Sequence, residues 1–208
     1  MASTPRRKPQ TGPAILSYGF RPFFLGGALY AALAMLVWLP QYFGVLMLGQ
    51  AFQPLVWHTH EMLFGFVPAV VAGFLLTAVP NWTGRLPLQG RPLLVLVLVW
   101  LAGRVAIAVS AYIGWVATML VDVAFLALLG AAMGREIVAG KNWRNLRVLV
   151  IVAALGLSNV AFHVEAHVTG AAVWSQRFAI GSVLLLVILI GGRIVPSFTR
   201  NWLARNNP

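Results

Sequence analysis

Six apolar stretches recur along this chain, each about 20 residues long, the length of helix that crosses the roughly 30 Å hydrocarbon core of a bilayer. They fall at about 22–39, 58–79, 92–110, 112–133, 147–168 and 176–195. Hydrocarbon offers the backbone no hydrogen-bond partner, so only helices and closed barrels can span it. Barrel strands alternate apolar with polar residues over about 10 positions. These runs are instead continuously Leu-, Ala- and Val-rich, which selects helices. The expectation is an all-α polytopic membrane bundle of six transmembrane helices, a single domain over residues 14–205 behind a basic tail at 1–13. Composition agrees: 60% of the residues are hydrophobic and only 9% charged, where a soluble domain carries about a quarter. Mean hydropathy is +0.85. No repeat or linker divides the chain.

Charge placement orients the helices. The net charge of +11 would point to nucleic acid in a soluble protein. Here the basic residues lie in tails and loops, so no nucleic-acid partner is expected. Arg6, Arg7, Lys8 and Arg21 precede the first run, and the loop 40–57 carries no charge. Arg85 and Arg91 follow the second run, and the next loop is very short. Arg135, Glu136, Lys141, Arg144 and Arg147 follow the fourth, with only Arg177 after the fifth. Arg193, Arg200 and Arg205 close the chain. This alternation puts both termini in the cytoplasm by the positive-inside rule. Trp38, Trp57, Trp82, Trp115, Trp174 and Trp202 lie near run ends, as interfacial belts require. The first run starts too far in, and is too long, for a cleaved signal peptide, so it reads as a retained helix. Pro40, Pro80 and Pro196 are expected to end the first, second and sixth helices, and Pro68 to kink the second.

That topology gathers all four histidines at the outer face. His58 and His60 open the second helix in the motif WHTHEMLFGF, and His163 and His167 close the fifth. The chain has no cysteine, which excludes disulfides, thiolate metal sites, Fe–S clusters and covalent haem attachment. His163 and His167 are four apart and share a helical face, as do His58 and Glu61, three apart. His60 faces elsewhere if the segment is already helical there. Inward histidines on paired helices are a common means of holding metal or haem in bundles. The four imidazoles with Glu61 are therefore the candidate metal ligands, and Asn159, one turn before His163, is expected to orient its ring. A single histidine at such an interface is more often only an interfacial polar group. Arg104 and Asp122 lie deep in adjacent helices at similar depth, so mutual pairing is expected. Arg21 and Arg193 sit at cytoplasmic helix ends, where arginine usually snorkels to headgroups. No set of catalytic residues emerges.

The segments GFRPFFL (19–25), HTHEMLFGF (58–66), NWTGR (81–85) and GGRIVPSFTRNWL (191–203) together resemble the NnrS family. The resemblance implies a bacterial inner-membrane protein associated with haem b and copper, with denitrification and with resistance to nitric oxide. It maps His58, His60 and Glu61 onto one motif and Arg193, Pro196, Arg200 and Asn201 onto another. Members are usually longer, with further helices after the last segment. The expectation is then a short or truncated member, or half of a site completed by a homo-oligomer or partner chain. Within this reading His58 and His163 approach the iron from opposite sides, with His60 and His167 as alternates or copper ligands. Two other classes fit the residues: a metal transporter or metallochaperone using the same histidines, and a structural assembly protein whose histidines are merely interfacial.

Overall fold

The computed structural model describes residues 12–206. The basic tail with Arg6, Arg7 and Lys8 lies outside them. Six helices are long and apolar enough to cross a membrane: α1 (Phe20–Tyr42), α2 (Pro54–Thr83), α3 (Arg91–Ala108), α4 (Trp115–Ala139), α5 (Trp143–Thr169) and α6 (Val173–Asn206). A short helical turn, Ser110–Ile113, joins α3 to α4. No strand occurs among the described residues.

The helices differ in how much of each lies inside the bundle, and not in step with hydropathy. Half of the most apolar stretch of α2 is buried inside the protein, against 17% for α1 and for α6. Helix α2 is thus interior, between α1 and α4, while α4 also packs against α3 and α5, and α5 carries α6. Leu29, Leu36, Leu184, Val187 and Ile188 are exposed on α1 and α6. In a bilayer those side chains meet lipid tails at no cost. The buried core is formed by Phe23, Leu75, Leu76, Leu93, Leu129, Leu155 and Phe162. Helices α3 and α4 approach closely at Gly103, where a Cβ would lie 3.1 Å from Asp122 Oδ1 and 3.2 Å from Asp122 Cα.

Several helices run past the bounds expected from sequence. Pro40 and Pro80 lie inside α1 and α2, each near the end, and Pro196 lies within α6. A proline removes its own donation to the carbonyl four residues back and crowds it, but leaves the following donors in place, so helix continues for two residues after Pro40, three after Pro80 and ten after Pro196. The start of α2 at Pro54 is earlier than expected for the complementary reason: proline's fixed φ suits a first helical position.

The α5–α6 turn shows what Glu165 does. Its carboxylate accepts from the backbone N–H groups of Val173, Trp174 and Ser175, at 2.9–3.0 Å, and from the Ser175 hydroxyl. It is the anionic cap of α6 and takes no part in the histidine cluster. Glu165→Ala is expected to cost about 1 kcal/mol, seen as a lower midpoint of thermal unfolding in detergent, with metal content unchanged.

Candidate metal centre

The path to the site starts from an irregularity in α2. Its first seven residues, Pro54–His60, are α-helical, residues Glu61–Phe66 form a π-turn, and α-helix resumes at Val67. The Val67 N–H reaches Met62 O, five residues back. Pro68 has no N–H to give to Phe64 O, so the wider turn forms where the regular ladder is already broken. One extra residue turns the start of α2 by about 100° relative to the rest. In a regular helix His58 and Glu61 would face the core. The rotation takes His58 off that face and brings His60 onto it beside Glu61, both fully buried. Within the wide turn Gly65 O accepts from Trp100 Nε1 at 2.9 Å.

Around His60 and Glu61 the bundle assembles a closed polar cluster. His60 Nδ1 lies 3.0 Å from Glu61 Oε1, and His60 Nε2 lies 3.2 Å from both Asn159 Oδ1 and Asp122 Oδ2. His163 Nε2 lies 3.1 Å from Asp122 Oδ2, the oxygen to which Asn159 Nδ2 donates at 2.8 Å. Arg104 joins the two carboxylates, donating from Nη1 to Glu61 Oε2 at 2.7 Å and from Nη2 to Asp122 Oδ1. Tyr30, from α1, donates its hydroxyl to Glu61 Oε2. Phe52, Phe64 and Phe162 pack their rings against His60 and keep the cluster dry.

Each member is placed by a separate feature of the chain. Asn159 and His163 are one turn apart on α5 and point the same way. Asp122 lies about two turns into α4 from Trp115, opposite Arg104 on α3. Gly65 leaves the space that Arg104 fills, since a Cβ there would run into the guanidinium, the Glu61 carboxylate and the Tyr30 ring. Gly65→Ala is therefore expected to cost about 1–3 kcal/mol by overpacking, and to lower metal retention because Glu61 and Arg104 must shift. Thermal unfolding and metal analysis of that variant check both effects.

Four residues expected to work together are thus divided. His60 and His163 meet, with ring centroids 5.0 Å apart. His58 stacks on Trp38 at 4.2 Å and His167 on Trp115 at 4.5 Å, both outside the cluster. His163 faces His60 rather than His58. Asn159 contacts His60 and Asp122 rather than orienting His163. Arg104 pairs with Asp122 as its depth requires, and with Glu61 as well. Tyr30 is the participant that sequence reasoning missed; its only signal is a phenol set within an apolar helix. Arg193 donates to Asn145 Oδ1 at 2.6 Å, and Arg21 donates to Ala14 O at 2.9 Å, both far along the helices from the histidines. Met62 is packed against Trp57 and Ile107.

The arrangement can hold a metal ion. His60, Asp122 and His163 each offer one donor atom, all within 4.8 Å of one another and all buried. The two Nε2 atoms stand 3.2 and 3.1 Å from Asp122 Oδ2. Tetrahedral ligands on bonds of about 2.0 Å lie about 3.3 Å apart, close to the spacing of each imidazole nitrogen from that carboxylate oxygen. With both rings neutral, Arg104, Glu61 and Asp122 sum to one net negative charge. Either a proton on one imidazole or a bound cation balances that charge. The same pair does not fit haem. A haem held by both imidazoles would need them on opposite faces of a wide planar macrocycle. Here the rings meet edge to face at 71° and share one carboxylate oxygen, with Phe52 and Phe162 packed alongside.

A protein-family model described as NnrS protein matches residues 14–208. No curated protein and no solved structure matches the chain.

Proposed function

The chain belongs to the NnrS family, and on that premise we propose that it is a metalloprotein of the bacterial inner membrane, serving the nitric oxide response or denitrification. Its centre holds a copper-class ion on His60, His163 and Asp122. The observation that carries this reading is the convergence of two imidazoles and one carboxylate, all buried, on a single point within the bundle. Imidazole suits copper, and the absence of thiolates turns the site away from clusters and toward a mononuclear ion. A bound ion of this class supplies a one-electron couple and a coordination position for a small ligand.

The remaining residues hold the donors. Glu61 accepts from His60 Nδ1 and fixes that ring so that Nε2 faces Asp122. Arg104 holds both carboxylates, and Tyr30 holds the second oxygen of Glu61. The three phenylalanine rings exclude water, which strengthens each of these contacts. The positive-inside pattern places the cluster toward the periplasmic side, about two turns below the surface, by the rise from Trp115 to Asp122.

Haem b, which the family resemblance also implies, falls to an imidazole outside the cluster. His58 is the candidate, because its Nδ1 is buried with no hydrogen-bond partner. Metal analysis and a pyridine haemochrome assay on the purified protein separate the two sites. His60→Ala and His163→Ala are expected to lose the copper-class ion and keep any haem, and His58→Ala the reverse. Full metal content in both cluster variants would contradict the assignment.

A further inference from the structure

Two of the motifs that carry the family resemblance lie nowhere near the histidines. GFRPFFL opens α1 and NWTGR closes α2, and the antiparallel packing of those helices brings them together at the opposite end of the bundle. There they form the walls of a cavity of about 480 Å³, lined by Tyr18, Arg21, Thr77, Asn81, Arg85 and their neighbours. No acidic residue lines it.

The charge balance at this end is one-sided. The chain has four acidic residues. Glu61 and Asp122 are spent in the buried centre and Glu165 caps α6, so Glu136 alone serves the basic end. It binds Arg85 through Nε and Arg135 through Nε and Nη2, while Arg21 donates only to the neutral carbonyl of Ala14. Among the described residues Arg21 thus has no carboxylate partner, only that carbonyl and the rings of Tyr18 and Phe20 beside its guanidinium, and the cavity carries net positive charge. The start of α1 adds to it, since Gly19 precedes the helix without a side-chain cap and the helix N-terminus is the positive end of its dipole. Just below, Phe20 and Phe24, a turn apart, are part-exposed along the edge where α1 meets α2 at Gly73. A headgroup-level cationic cavity above an apolar ridge matches one class of ligand, an anion with acyl chains attached.

We propose that the cavity between Tyr18–Arg21 and Thr77–Arg85 binds the phosphate of an anionic phospholipid of the cytoplasmic leaflet. Arg21 and Arg85 hold the phosphate oxygens, Asn81 and Tyr18 border the headgroup, and the acyl chains lie along Phe20 and Phe24. Basic pockets at that leaflet are a recurrent means of lipid recognition. The reading needs the bundle to span a membrane and is independent of the metal centre.

The test uses the full chain in detergent. Thermal unfolding, followed by tryptophan fluorescence, is measured with added phosphatidylglycerol, with phosphatidylcholine of the same acyl chains, and with inorganic phosphate. Phosphatidylglycerol is expected to raise the midpoint by several degrees, and the other two to leave it unchanged. Arg21→Gln/Arg85→Gln is expected to abolish that rise, while Lys141→Gln/Arg144→Gln, removing as much charge from the same end, keeps it. Native mass spectrometry of the unaltered protein adds a readout that needs no variant: phosphatidylglycerol retained in preference to phosphatidylcholine. An equal rise with phosphatidylcholine, an equal rise with inorganic phosphate, or an undiminished rise in the Arg21/Arg85 variant would each overturn the lipid assignment.

Discussion

Arg104→Met is expected to destabilise the protein by about 3–5 kcal/mol, the cost of removing one partner from a buried charge network. Arg104 is the group that joins Glu61 on α2 to Asp122 on α4, and both carboxylates are buried. Methionine fills the same volume without charge, so the loss is electrostatic rather than a cavity. Two carboxylates are then left in the apolar interior, with Tyr30, Asn159 and the two imidazoles as their only partners. The variant should accumulate poorly in membranes and unfold at a much lower temperature in detergent. Arg104→Met/Glu61→Gln should recover part of the loss, because one of the stranded charges goes with it. Thermal midpoints of the two variants decide the point. A midpoint for Arg104→Met within a degree of the unaltered protein would mean that the network contributes nothing to the fold.

Asp122→Asn is expected to separate binding from folding. Asp122 Oδ2 is the atom on which His60, His163 and Asn159 converge, and Oδ1 takes the Arg104 guanidinium. The amide keeps the shape but gives up the negative charge and one acceptor. Arg104 retains Glu61, so the bundle should still assemble. Affinity for a copper-class ion should fall by about 100-fold or more, at or above the effect of losing a partner that merely orients a ligand. Equilibrium titration of the metal-stripped protein measures this. An unchanged affinity would remove Asp122 from the ligand set.

The membrane helices were legible in the sequence because hydrocarbon leaves so few choices. A run of about 20 apolar residues has one stable structure there. The meeting of the histidine-bearing ends of α2 and α5 was legible too, since it follows from how many times the chain crosses between them. The choice of histidine was not. It turns on the π-turn at Glu61–Phe66, which shifts the register by one residue and exchanges the faces of His58 and His60. Pro68 hinted at a break, but a proline does not say whether a helix bends or widens. Asn159 looked like a partner of His163 because sequence spacing reports neighbours along one helix. Its actual contacts, His60 and Asp122, lie on other helices. Tyr30, a phenol in an apolar helix, hinted at a polar contact but not at its partner for the same reason, and α6 runs on past Pro196 through residues that are nearly all exposed.

X-ray absorption at the metal edge of the purified, metal-loaded protein tests the central claim most directly. Two imidazole nitrogens and one carboxylate oxygen at about 2.0 Å are predicted, with one imidazole lost in His60→Ala and the other in His163→Ala. A shell unaltered by either substitution, or changed only by His58→Ala or His167→Ala, would contradict a centre built on His60, Asp122 and His163.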